Sequence, residues 1–295
     1  MNMLICSDGT PPSENAIHLG ALLATATNAQ TTLLGIAEQS TDEKPLRQTL
    51  EKQATVLRNF GVDLRIVTGA GDPISQILSE TAAHEYELVV IGARHKEASG
   101  LFWRSERTYE LVTAIVPPVM VALGKSERLA RFLLCSGGKH YIDEAIELTA
   151  NLAVALHAEV TLLHVMPDPP ALFANFARLE NDSDALLASG SELGRSLSAQ
   201  KQSFQKLGVT VHIRVRHGFV VDEIFKEAGE GDYDIIVSGS SRARGPLRHY
   251  IMGDVTRSIL NRAECPVLIA RGATIDPDGG FLGRLTRRIF NRSAR

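Results

Sequence analysis

The chain has 295 residues, 44% hydrophobic and 22% charged, with 31 Lys and Arg set against 34 Asp and Glu for a net charge of −3. That length suits two domains, each able to bury its own core, and the near-balanced charge removes any overall pull toward nucleic acid or an anionic membrane. No apolar run reaches the roughly 18–20 residues needed to cross a bilayer, and the opening MNMLICSDG has neither the basic nor the apolar region of a signal peptide, so a cytoplasmic protein is expected.

In chain order, short apolar runs alternate with helical patterns. MLICS (3–7), TTLLGIA (31–37), DLRIV (63–67), ELVVIG (87–92) and VMVAL (119–123) read as strands, with helices expected near 13–27, 43–59, 73–84 and 105–114. Asp72 is placed to cap the third helix, and Gly61 to stop the second. A polar connection, GKSERLA (124–130), follows. Then the order starts again: RFLLCS (131–136), EVTLLHV (159–165), TVHIRV (210–215), DIIVSG (234–239) and VLIA (267–270), with helices expected near 142–157, 184–207, 221–229 and 254–262 and a stop at Gly208. Pro118 and Pro266 each stand just before a last strand, where a missing donor is tolerated. Strands that are apolar on both faces and separated by helices form parallel sheets covered on both sides. The expected fold class is therefore α/β, with two tandem doubly wound five-stranded parallel-sheet domains.

The two halves are copies of one another. LICSDGTPPSENAI (4–17) aligns with LLCSGGKHYIDEAI (133–146) without a gap at an offset of 129, and GDPISQIL…EYELVVIG (71–92) aligns with GFVVDEIF…DYDIIVSG (218–239) at an offset of 147. The second copy carries an extra PDPPALFANFARLENDSD (167–184), which reads as a surface loop or a flap over the sheet edge. The three cysteines lie in no CxxC pair; Cys6 and Cys135 occupy equivalent strand positions and read as small buried residues.

In an open parallel sheet, ligands bind beyond the carboxyl ends of the strands where the strand order reverses, here the turns after the first and fourth strands of each copy. In the first copy that places Asp8 after strand one, able to accept from a ribose hydroxyl or an adenine amine, and Gly92 after strand four. In the second copy the turn reads Ser136-Gly137, with Val165 at the end of the neighbouring strand and His164 beside it as a weaker candidate. Strand four then runs into GSSRARGPLRHYIMGDV (239–255), where Gly239 and Gly245 permit close backbone approach and Ser240 and Arg242 supply a hydroxyl and a positive charge. Gly253, Asp254 and Val255 open the next helix, whose free N–H groups favour an anion. There is no HExxH pair, no zinc-spaced Cys/His cluster, no GxSxG elbow and no complete Walker pattern, so no metal and no catalytic group is assigned.

On these residues both halves, 1–123 and 130–271, resemble universal stress protein domains, and the chain resembles a tandem universal stress protein with an adenine nucleotide alpha hydrolase-like fold. Members that bind ATP carry Gly-x2-Gly-x9-Gly-(Ser/Thr). Gly239 and Gly253 match its outer glycines, but Arg242 stands in place of the middle glycine, the spacing is one residue longer, and Asp254 replaces Ser/Thr. A carboxylate facing a phosphate costs on the order of 1 kcal/mol or more, which the arginines could offset. In the first copy Asp8 and Gly92 are what survives of the site, which makes that site the degenerate one. The resemblance implies stress-linked expression, self-association through the last strands and ATP as the candidate ligand.

The remaining stretch, 272–295, forms a tail whose last part, FLGRLTRRIFNRSAR (281–295), has five arginines and no acid. At 100° per residue Phe281, Leu282, Leu285 and Ile289 share one helical face, which suits a membrane surface, a partner groove or the protein itself. The leading expectation is a non-catalytic regulator built on an intramolecular domain pair, with a homo-oligomer and an unidentified protein partner to be considered. The alternatives are a nucleotide-independent adaptor and a weak nucleotide hydrolase.

Overall fold

The structure is a computed structural model, and it describes residues 1–37, 39, 42–93, 105–124, 126–137, 143–168, 183–240 and 255–271. In the first half β1 (Asn2–Ser7), β2 (Gln30–Ala37), β3 (Leu64–Ala70), β4 (Leu88–Gly92) and β5 (Val119–Ala122) alternate with α1 (Pro11–Thr27), α2 (Glu43–Asn59), α3 (Pro73–Ala83) and α4 (Ser105–Ala114). The second half gives β6 (Arg131–Ser136), α5 (Asp143–Leu156), β7 (Glu159–Met166), α6 (Ser183–Ala188), α7 (Glu192–Lys206), β8 (Val211–His217), α8 (Val220–Gly231), β9 (Ile235–Ser240), a helix α9 over 255–262, and β10 (Val267–Arg271).

Local chemistry sets the boundaries. Asp72 caps α3, its carboxylate accepting from the Ser75 backbone N–H at 2.9 Å, and Gly61 and Gly208 follow α2 and α7 at φ +76° and +81°. One expected helix is two. The periodicity over 184–207 runs on, but the chain breaks at Gly190 and restarts at Ser191, whose hydroxyl accepts from the Gly194 N–H at 3.0 Å. That serine is a strong N-cap, and it outweighs the helical propensity on either side.

The two five-stranded sheets are continuous. The strand order is β3-β2-β1-β4-β5-β10-β9-β6-β7-β8, parallel within each half and antiparallel where β5 meets β10. Met120 faces Leu268 there, and both are fully buried. The expected pairing of last strands thus occurs inside the chain. A pseudo-twofold axis runs through the β5–β10 ladder, normal to the sheet, because α1 and α5 pack together on one face. One core lies between that face and α1, α2, α5 and α7, around Phe132, Leu50 and Phe204; the other lies under α3, α4, α8 and α9, around Ile77, Val112, Ile224 and Ile259. In the connection, Gly124 holds φ +65°, and a Cβ there would sit 2.2 Å from the Glu264 carbonyl oxygen, so the link lies against the turn that leads into β10.

One polar device is duplicated at the sheet's flanks. Tyr86 donates to Glu80 at 2.6 Å, and Tyr233 donates to Glu227 at 2.8 Å. Burial, then the neighbouring carboxylate, holds both phenols above their ordinary range. Arg65 joins the first pair at 2.8 Å from Glu80, and Arg216 joins the second at 2.6 Å from Glu227.

Candidate functional site

The strand order reverses between β1 and β4 in the first half and between β6 and β9 in the second. At the second reversal Cys135 pairs with Ser238, so Ser136-Gly137 and Gly239-Ser240 follow side by side at the carboxyl rim. His164 pairs with Ser136, which sets Val165 one residue further along the same rim. On the other side Gly239 faces Ala270 and Ser240 faces Arg271. Val255 opens the described part of α9 and packs on the second core. The next residue, Thr256, has its hydroxyl 3.3 Å from that of Ser238, and both are buried. Five of the expected residues, Ser136, Gly137, Val165, Gly239 and Ser240, therefore share one rim. Arg242, Gly245, Gly253 and Asp254 lie outside the described residues, as does most of the 167–184 insert.

A feature that the sequence reading missed anchors both rims. The serine that ends the first strand of each copy donates to a glutamine on the helix before the third strand, α2 or α7: Ser7 to Gln53 Oε1 at 2.8 Å, and Ser136 to Gln200 Oε1 at 3.0 Å. All four side chains are buried. Such a bond fixes where the chain turns away from the sheet, because a buried donor or acceptor left unmet costs about 1–3 kcal/mol. The signal was present, since Gln53 and Gln200 stand at the same offset of 147 as the later strands. It is hidden because their surroundings in the two helices are unlike.

The two turns then diverge. In the first copy Asp8 is exposed, and its Oδ1 accepts from the Thr10 backbone N–H at 2.9 Å and from the Thr10 hydroxyl at 2.5 Å. The carboxylate offered to a ligand by the sequence thus stabilises its own turn. Gly92 ends β4 opposite Ala122. In the second copy Gly137 stands where Asp8 would, and a Cβ built on it meets nothing within 4 Å among the described residues. Among the described residues, the place that a side chain takes in one copy holds none in the other. Below it, the half-buried His164 ring has Nδ1 2.9 Å from the Ser136 carbonyl oxygen. Burial lowers the His164 pKa; the bond to Ser136 works against that shift, and His217 adds to it. The ring is held chiefly neutral, with Nδ1 carrying the proton it donates.

The model of the universal stress protein family matches residues 1–121 and 130–271. The chain belongs to the universal stress protein family. About half of the chain aligns with most of the length of shorter members. A universal stress protein of Methanothermobacter thermautotrophicus is 28% identical over 131 residues, covering 44% of this chain and 88% of that one. One from Methanocaldococcus jannaschii is 28% identical over 142 residues, covering 48% and 81%. The paired arrangement also has a solved counterpart: a universal stress protein of Archaeoglobus fulgidus aligns over 92% of this chain and 98% of its own at 17% identity, with a TM-score of 0.67. That likeness is one of fold, and it extends across both halves of this tandem member.

Other chemistry is sparse at these rims. Among the described residues no group of three or more His, Cys, Asp or Glu is arranged to hold a metal ion, and no helix is long and apolar enough to cross a membrane. The cysteines are free; burial pushes the Cys135 thiol up to about 12 and Cys265 up to about 11, so neither is a ready thiolate.

Proposed function

We propose that this tandem universal stress protein is a non-catalytic, cytoplasmic stress-response regulator that binds an adenine nucleotide, ATP as the leading candidate, at the carboxyl rim of its second domain. The domains are taken as 1–123 and 130–271, with 272–295 as a tail. The observation that carries the reading is the register that sets Ser136-Gly137 beside Gly239-Ser240 at the point of strand reversal, with no described residue over a Cβ at Gly137. Backbone N–H groups of the Ser136–Gly137 turn and of Gly239-Ser240 would meet the nucleotide, Val165 would lie against the base, and Val255 would stand at the helix start nearest the phosphates. Arg242, Gly245, Gly253 and Asp254 complete the cradle by sequence. The first domain, with Asp8 committed to Thr10, is the weaker site.

The reading is tested by heating the full chain with and without millimolar ATP, alongside Gly137→Leu. A ligand at 100 times its Kd stabilises by about 2.7 kcal/mol, which raises Tm by about 5–10 °C at this size. A side chain there meets no described residue, so the substitution is expected to block the site and keep the fold, and its Tm should not respond to ATP. No response in the unaltered chain moves the reading to a nucleotide-independent adaptor. Phosphate release above that of Gly137→Leu moves it to a hydrolase.

A further inference from the structure

Because β10 runs against β5, the carboxyl end of β10 lies at the amino rim of the first domain's sheet. The chain leaves β10 at Arg271 on that rim. A cleft of about 1690 Å³ opens there, around the amino ends of β1, β2 and β3. Phe60, Val62 and Leu64 contribute apolar surface to it, and Asp63, Glu85 and Glu87 contribute carboxylates. The cleft's arginine, Arg65, is already paired with Glu80 at 2.8 Å.

We propose that residues 281–295 of the same chain dock in this cleft as an amphipathic helix. The Phe281, Leu282, Leu285 and Ile289 stripe would lie on the Phe60–Leu64 wall, and Arg284, Arg287 and Arg295, which lie off that stripe, would face Asp63, Glu85 and Glu87. Three quantities support the match. Residues 272–280 reach up to about 30 Å when extended, whereas β3, which the Phe60–Leu64 wall leads into, is five strands from β10, about 24 Å away. A 15-residue helix is about 22 Å long and about 10 Å across, roughly 1,800 Å³ as a cylinder, comparable with the cleft. The charges are opposite: five arginines without an acid in the segment against three carboxylates in the lining. The other rim within reach is the second domain's candidate anion site, followed in sequence by Arg242, Arg244 and Arg248, which would repel the segment. A helix this short is marginal alone, so the cleft supplies the apolar contact that orders it.

Amide hydrogen exchange on the full chain tests this, comparing it with a Leu285→Glu/Ile289→Glu variant and with an Asp63→Lys/Glu85→Lys variant, whose changes fall on exposed positions. Docking predicts exchange at 59–65 and 83–88 at least fivefold faster in the tail variant. It also predicts a matching loss of protection over 281–295 in the cleft variant, at any protein concentration. The proposal is overturned by unchanged exchange in both regions, which leaves the tail free for a membrane or partner. It is equally overturned by protection that moves to 136–137 and 239–240, or by protection that grows with protein concentration, the mark of a contact between copies.

Discussion

Met120 of β5 faces Leu268 of β10 across an antiparallel ladder, and that contact makes two domains share one sheet and one continuous core on each face. The pairing has a consequence for stability. Leu268→Ala should cost about 2–5 kcal/mol as a fully buried leucine, and the loss should be felt in both halves. Hydrogen exchange should rise together in β1 and β6; a rise confined to the second domain would show that the halves unfold independently.

The connection is set by a glycine. At Gly124, φ is +65° and a Cβ would strike the Glu264 carbonyl, whereas at Gly61 φ is +76° with nothing within 4 Å among the described residues. Gly61→Ala should therefore cost about 1–2 kcal/mol, the αL penalty alone, and Gly124→Ala distinctly more. Urea denaturation of the two variants ranks them directly.

The duplicated tyrosine–glutamate pairs differ in what compensates them. Arg216 and Glu227 are only 17% and 7% exposed, while Arg65 is 50% exposed. Arg216→Met removes the closest cation from a buried carboxylate, leaving it Arg214 at 4.0 Å, and should cost about 3 kcal/mol; Arg65→Met should cost about 1 kcal/mol or less. Equal losses in denaturation would contradict the burial argument.

His164 makes stability depend on pH. Its folded pKa is lowered from 6.5, first by burial, so the unfolded chain takes up the proton at higher pH than the native one. Its contribution is present above about pH 6.5 and is lost as pH falls below it. Replacement by Gln, which can still donate to the Ser136 carbonyl, should flatten the fall in Tm between pH 7.5 and 5.5. An unchanged slope would place the pH dependence elsewhere.

Much of this was legible in the sequence, because apolar runs such as ELVVIG and DIIVSG, bounded by capping residues, leave few alternatives to buried parallel strands. The repeated LICSDG and LLCSGG placed the turns correctly for the same reason. The break at Ser191 was not legible, since a local cap interrupts a periodicity that is otherwise continuous. The Ser136–Gln200 bond was also out of view, because it joins residues 64 apart that carry no common motif. Nor did Asp8 reveal in sequence that its carboxylate serves Thr10. Spacing shows which residues reach a rim, but not which hydrogen bonds they have already made.

The most direct measurement is the mapping of amide resonances in the full-length protein as ATP is added. The proposal predicts saturable shifts at Ser136, Gly137, Val165, Gly239 and Ser240, one nucleotide per chain, all abolished by Gly137→Leu. Shifts centred instead on Asp8 and Gly92, or none anywhere at millimolar ATP, would contradict it.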